Sequence, residues 1–65
     1  MKSYSSREVI KKLEADGWYL DRVSGSHYCF KHYKKAGLVT IPHPRRNLPV
    51  KTLLSIQKQS GVKFD

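Results

Sequence analysis

Trp18-Tyr19-Leu20-Asp21-Arg22-Val23-Ser24-Gly25-Ser26-His27-Tyr28-Cys29-Phe30-Lys31-His32-Tyr33 is the stretch whose reading decides the fold. Aromatic and β-branched residues dominate both sides of Ser24-Gly25-Ser26, which is the composition of a short hairpin loop. Trp18 to Val23 and His27 to Tyr33 therefore read as two antiparallel strands. A three-residue loop, Ser24 to Ser26, pairs Val23 with His27 and puts Trp18, Leu20, Tyr28 and Phe30 on one face of the ribbon. A two-residue loop would set Trp18 and Leu20 on the face opposite Phe30 and expose one group or the other. The three-residue loop is the expectation.

Upstream, Ser5-Ser6-Arg7-Glu8 is a capping box, with Tyr4 placed to staple onto Val9. A helix starts at Ser6, carries Val9, Ile10 and Leu13 as its apolar stripe, and ends near Asp16 because Gly17 can adopt the left-handed conformation. Downstream, Lys34-Lys35-Ala36-Gly37 is a turn and Leu38-Val39-Thr40-Ile41 a third strand, which Pro42 and Pro44 stop. Asn47 is expected to cap a second helix with Pro49 in its first turn. Val50, Leu53 and Leu54 form its apolar face with Ile56 flanking, and Gly61 ends it before Val62 folds back. The order is α-β-β-β-α: a two-layer α+β fold with a three-stranded antiparallel sheet and both helices on one face. Trp18, Leu20, Tyr28, Phe30, Val39 and Ile41 make its core. Tyr19, Asp21, His27, Cys29, Lys31 and Thr40 line the open face.

At 65 residues the chain is expected to be one domain, residues 1–65, without room for a deep cofactor cavity. A core of this size supplies roughly 3–5 kcal/mol net, and the single cysteine, Cys29, allows no intrachain disulfide. Met1-Lys2-Ser3-Tyr4-Ser5 opens no apolar run of signal-peptide type, and nowhere do about 18 apolar residues occur in succession. The expected home is the cytoplasm, with no membrane contact.

Lys and Arg number 13 against 5 Asp and Glu, a net charge of +8, and the excess is unevenly laid out. Lys2, Arg7, Lys11 and Lys12 are balanced by Glu8, Glu14, Asp16 and Asp21. Beyond them Arg22, Lys31, Lys34, Lys35, Arg45, Arg46, Lys51, Lys58 and Lys63 meet no acid before Asp65. Such an asymmetry is an electrostatic footprint for a polyanion, nucleic acid first, although solubility alone can also require a basic surface.

No metal site and no cofactor are expected. His27 and His32, five apart on one strand, point to opposite faces, and there is no second cysteine. Cys29 reads as a partly buried strand residue rather than a nucleophile. No nucleophile elbow and no phosphate-cradling glycine loop is present. What remains is Gly25-Ser26-His27, a histidine at the lip of a turn beside a basic surface. Metal-independent RNA cleavage needs one group to deprotonate the 2′-hydroxyl, one to protonate the leaving 5′-oxygen, and cations to hold the phosphate. Imidazole, titrating near neutrality, suits either proton transfer. Gly25 would let an RNA backbone approach, while positive φ in the hairpin already explains it.

Ser24-Gly25-Ser26-His27-Tyr28-Cys29-Phe30 resembles the Gly-Ser-His-x-x-Phe signature of the HicA toxin family, and Gly17-Trp18 matches what precedes it there. Val39-Thr40-Ile41-Pro42-His43-Pro44, Leu48-Pro49-Val50-Lys51-Thr52-Leu53-Leu54 and Lys58-Gln59-Ser60-Gly61-Val62 are similar to the rest of the pattern, so the resemblance spans nearly the whole chain. It implies a fold like that of double-stranded-RNA-binding domains and a metal-independent endoribonuclease acting on mRNA. It also implies a toxin neutralised by a HicB-type antitoxin; the free chain is expected to be monomeric. The family's active-site histidine falls on His27, with Gly25 and Ser26 as motif positions.

The second acid/base group stays open. With Phe30 opposite Ile41, His43 lies across from Tyr28 on the core side, behind His27. Asp21, diagonal to His27, can orient its ring, although a polar residue on a solvated face needs no such role. Lys31, Lys34 and Lys35 are candidate phosphate contacts. Arg45, Arg46 and Lys51 are others, gathered where the second helix begins and its dipole favours an anion. Two other readings compete with the enzyme. One is a non-catalytic RNA-binding module that recognises A-form backbone by shape, and the other is an interaction subunit whose basic face docks an acidic protein.

Overall fold

The computed structural model describes residues 2–64; Met1 and Asp65 lie outside the described residues. Its elements are α1 (Ser6–Asp16), β1 (Trp18–Ser24), β2 (His27–His32), β3 (Val39–Pro42) and α2 (Val50–Ser60). The strands form one antiparallel sheet in the order β1-β2-β3. Val9 and Leu13 of α1 and Leu53 and Ile56 of α2 pack with Trp18, Phe30, Val39 and Ile41, so both helices cover the same sheet face. The α+β architecture expected from the sequence is the one observed.

Both halves of the capping box on α1 are formed: Glu8 N–H donates to Ser5 Oγ (3.2 Å) and Ser5 N–H to Glu8 Oε1 (2.9 Å). The hydrogen bond from the Ser5 backbone N–H, and then that from the Ser5 side chain, hold the Glu8 carboxyl below its ordinary value. Gly17 ends the helix at φ 107°. A Cβ there would also lie 2.7 Å from His32 Nε2, so this position excludes side chains twice over.

The hairpin corrects the expected loop. Ser24 pairs with His27 across a two-residue turn, Gly25-Ser26, and a β-bulge at Asp21 takes up the odd residue. The expected register holds from Trp18, opposite His32, to Leu20, opposite Phe30. Beyond the bulge it changes: Arg22 is opposite Cys29 and Val23 opposite Tyr28. Leu20 is on the core side as expected but remains 47% exposed, because the helix layer does not cover this part of the edge strand.

Phe30 pairs with Val39, not Ile41, and Tyr28 with Ile41, a two-residue slip that preserves every face. Pro42 closes β3 on an edge of the sheet, where its missing N–H leaves no ladder bond unmade. In α2 the N-cap is Pro49, not Asn47. Leu48 is buried and its N–H donates to Tyr4 O (2.8 Å), which ties residues 47–48 to the N-terminal segment; Asn47 Oδ1 accepts from Ser3 Oγ. The buried face of α2 is Leu53, Ile56 and Ser60, while Val50 and Leu54 face solvent.

Candidate active site

The open sheet face is built by strand alternation. His27, Cys29 and Lys31 project from β2, with Thr40 and Pro42 of β3 on one flank and Ser24, Arg22 and Tyr19 of β1 on the other. His27 occupies the first position of β2, directly after the turn. It is exposed, and among the described residues neither ring nitrogen is engaged in a hydrogen bond or ion pair. Gly25 adopts φ 60°, and nothing lies within 4 Å of where its Cβ would stand, so the backbone at the mouth of the hairpin is open to solvent. The Ser26 carbonyl accepts from His43 N–H (2.9 Å), which fixes the turn to the chain leaving β3.

The other two histidines are occupied by the fold. His32 Nδ1 accepts from Lys34 N–H (3.0 Å) and Lys35 N–H (3.2 Å), which leaves the ring proton on Nε2, donating to the Asp16 carbonyl at 2.7 Å. Its side chain is 5% exposed, edge-on to Trp18 and stacked on Tyr33. His43 packs edge-on against Tyr28 at 4.7 Å, and its Nδ1 shares a 2.6 Å hydrogen bond with Ser6 Oγ. It lies on the helix side of the sheet, away from His27, as the sequence suggested.

Asp21 is not placed to orient His27. It is the bulged residue, and its Oδ1 lies 3.8 Å from Lys31 Nζ. The position diagonal to His27 belongs to Arg22, which stands opposite Cys29. Cys29 is buried between its neighbours with Sγ 3.7 Å from Thr40 Oγ1. Among the described residues no group of three or more His, Cys, Asp or Glu side chains could hold a metal ion.

The basic candidates separate into committed and free charges. Lys35 Nζ donates to Asp16 Oδ2 (2.6 Å) and to the Ser60 carbonyl (3.1 Å), joining the C-terminal ends of both helices. The hydrogen bond from Lys35 holds the Asp16 carboxyl below its ordinary value against the opposing effect of burial, with help from the Lys35 charge. Lys34 lies over the Tyr33 ring at 5.6 Å. Lys51 is exposed in the first turn of α2.

Lys51 is not among the residues that line a cleft with Arg45 and Arg46. The two arginines line an open cleft of about 680 Å³ with Ser5, Ser6, Arg7, His43 and Pro44 at the start of α1. Ser6 organises this cleft: its N–H donates to the Arg45 carbonyl (2.9 Å), and its Oγ accepts from Arg45 N–H (2.9 Å) while holding His43. Among the described residues Arg7, Arg45 and Arg46 have no acidic partner. The signal available for Arg7 was its charge in a helical first turn, where the dipole disfavours a cation.

The fold and this face define a small basic α+β protein with one unpartnered imidazole at the mouth of a hairpin. The sequence model of the family described as HicA toxin of bacterial toxin-antitoxin matches residues 6–62, and the chain belongs to that family. It is thus a toxin of the toxin-antitoxin class, with an antitoxin partnership implied in general. No curated protein matches the chain closely enough to count as a relative. None of its described helices is long and apolar enough to cross a membrane.

Proposed function

We propose that this toxin is a metal-independent endoribonuclease that cleaves mRNA with His27 as general acid/base and is silenced by a HicB-type antitoxin covering its basic open face. The observation that carries the reading is the division among the histidines: His32 and His43 are consumed by structural hydrogen bonds, and His27 alone presents both ring nitrogens to solvent. In the reaction His27 takes the 2′-hydroxyl proton, O2′ bonds to phosphorus, the P–O5′ bond breaks, and solvent water protonates the leaving 5′-oxygen. Gly25 admits the RNA backbone to the turn, and Ser26, anchored through its carbonyl to His43, holds the turn in place. Lys31, Lys34 and Lys51 supply long-range attraction, as does Lys35 beyond its bonds to Asp16 and Ser60. The Arg45-Arg46 cleft takes a flanking phosphate of the same strand.

The test is incubation of the purified protein with a long RNA in excess EDTA, beside His27→Ala with an unchanged circular dichroism spectrum and melting profile. Cleavage by the wild type alone is expected. Intact RNA with both proteins, together with salt-dependent binding, would reduce the chain to a non-catalytic RNA-binding module.

A further inference from the structure

We propose that Arg22 is the group that grips the scissile phosphate beside His27, and that the β-bulge at Asp21 exists to put it there. This inference rests on the ribonuclease reading of the same face. If the Leu20–Phe30 register continued without interruption, Arg22 would stand opposite Tyr28, on the helix side of the sheet. The extra residue at Asp21 advances the ladder by one, and Arg22 stands opposite Cys29 on the face that carries His27. Bulges re-aim side chains in this way and concentrate beside active sites.

Distance and charge select Arg22 over Lys31. Arg22 is the cross-strand diagonal neighbour of His27, a separation of about 7–8 Å between backbones that a guanidinium can span. Lys31 is four residues further along β2 from His27, about 13 Å at strand rise. Its ammonium is also shared with Asp21 at 3.8 Å, whereas Arg22 is exposed and has no acidic partner among the described residues. The same bulge that presents Arg22 therefore supplies the acid that occupies Lys31.

A phosphate seated between the His27 imidazole and the Arg22 guanidinium would have its non-bridging oxygens facing a planar fork of N–H donors. When O2′ bonds to phosphorus, charge accumulates on those oxygens. Arg22 stabilises it without gaining or losing a proton, and the charge disperses as the P–O5′ bond breaks. Arg22 thus serves the transition state more than the bound substrate, a role distinct from that of the outlying cations.

The deciding experiment compares wild type, Arg22→Ala, Arg22→Lys, Lys31→Ala and His27→Ala, each shown to melt like the wild type, on a short fluorogenic RNA. Arg22→Ala should lower kcat about 100-fold with KM changed less than about threefold, and millimolar guanidinium should restore part of the loss. Arg22→Lys should fall between, and Lys31→Ala should stay within about threefold of wild type. Full activity in Arg22→Ala while His27→Ala is dead would overturn the assignment and leave the ribonuclease reading standing. If the wild type itself does not cleave, that reading fails, and titration with uncleavable 2′-O-methyl RNA still decides Arg22. A shift of its Nε–H resonance, with binding in Arg22→Ala weakened by less than about threefold, supports the phosphate contact; no shift refutes it.

Discussion

Gly17→Ala should be the most damaging single-methyl change in the protein, for a reason that Gly25→Ala isolates. Both glycines have positive φ, 107° at Gly17 and 60° at Gly25. At Gly25 the added methyl meets nothing within 4 Å, so the cost is the left-handed backbone alone, about 1–2 kcal/mol. At Gly17 the backbone lies further from the region open to L-residues, at roughly 1–3 kcal/mol. In addition the methyl would stand 2.7 Å from His32 Nε2, the atom that donates to the Asp16 carbonyl. Moving the ring breaks that bond and the two that Nδ1 accepts, leaving polar groups unpaired at roughly 1–3 kcal/mol. The total, about 2–6 kcal/mol, rivals the roughly 3–5 kcal/mol a chain of this size commands. Urea denaturation should therefore show Gly25→Ala folded with a reduced midpoint and Gly17→Ala mostly unfolded in water at 25 °C. In a His32→Ala background the Gly17→Ala cost should drop to its backbone part, a coupling a double-mutant cycle measures. If Gly17→Ala costs no more than Gly25→Ala, or costs the same with and without His32, the close approach of ring and helix end is not what fixes this glycine.

Ser6→Ala removes the hydroxyl that holds Arg45 N–H and His43 Nδ1; it should cost about 2 kcal/mol by urea unfolding and speed amide exchange at Arg45. Because Lys35 depresses the Asp16 carboxyl below its ordinary 3.8, the folded state binds fewer protons there than the unfolded chain. That contribution is complete above 3.8 and is lost as pH falls through the folded value, so Asp16→Asn should show a shallower loss of stability between about pH 5 and pH 2 than wild type. Arg45→Ala combined with Arg46→Ala, in the His27→Ala background to prevent cleavage, should weaken RNA binding and flatten its log K against log salt plot by about 1; an unchanged slope would exclude the cleft from the RNA path.

Three of the four helix limits were legible because the chain marks them, with Ser5 and Glu8 at the start of α1 and Gly17 and Gly61 at the two ends; the start of α2 was not, since Leu48 and Asn47 are tied to the N-terminal segment and the cap falls on Pro49. The bulge was not, and the reason is a degeneracy. A three-residue loop, or a two-residue loop with one bulged residue, absorbs the same odd residue and delivers Trp18 and Leu20 to the same face as Phe30. Only Arg22, Val23 and Ser24 distinguish the two, and all three are exposed, so apolar alternation carries no information there. His27 was legible as a candidate because its neighbours in sequence carry the signal. The placements of Arg22 and Arg7 were not legible, because their surroundings are set by strand register and by a loop 39 residues away from Ser6.

The bulge and the histidines share one logic. A small core cannot leave its loops loose, and this chain fastens them with polar groups buried at two places. His32 clamps the end of α1 to the turn after β2, and Ser6 with His43 clamps the start of α1 to the segment after β3. Lys35 completes the first clamp and Asp21 occupies Lys31. Once these bonds are made, Asp16 and Asp21 are spoken for, and Glu8 is turned back onto Ser5. The described acidic groups left over cannot reach the hairpin mouth, since Glu14 sits on α1, on the other side of the sheet. Without the anions that would neutralise it, the face bearing His27 and Arg22 stays positive. That charge favours a phosphate backbone, and an antitoxin that covers the face must bring the missing acid itself.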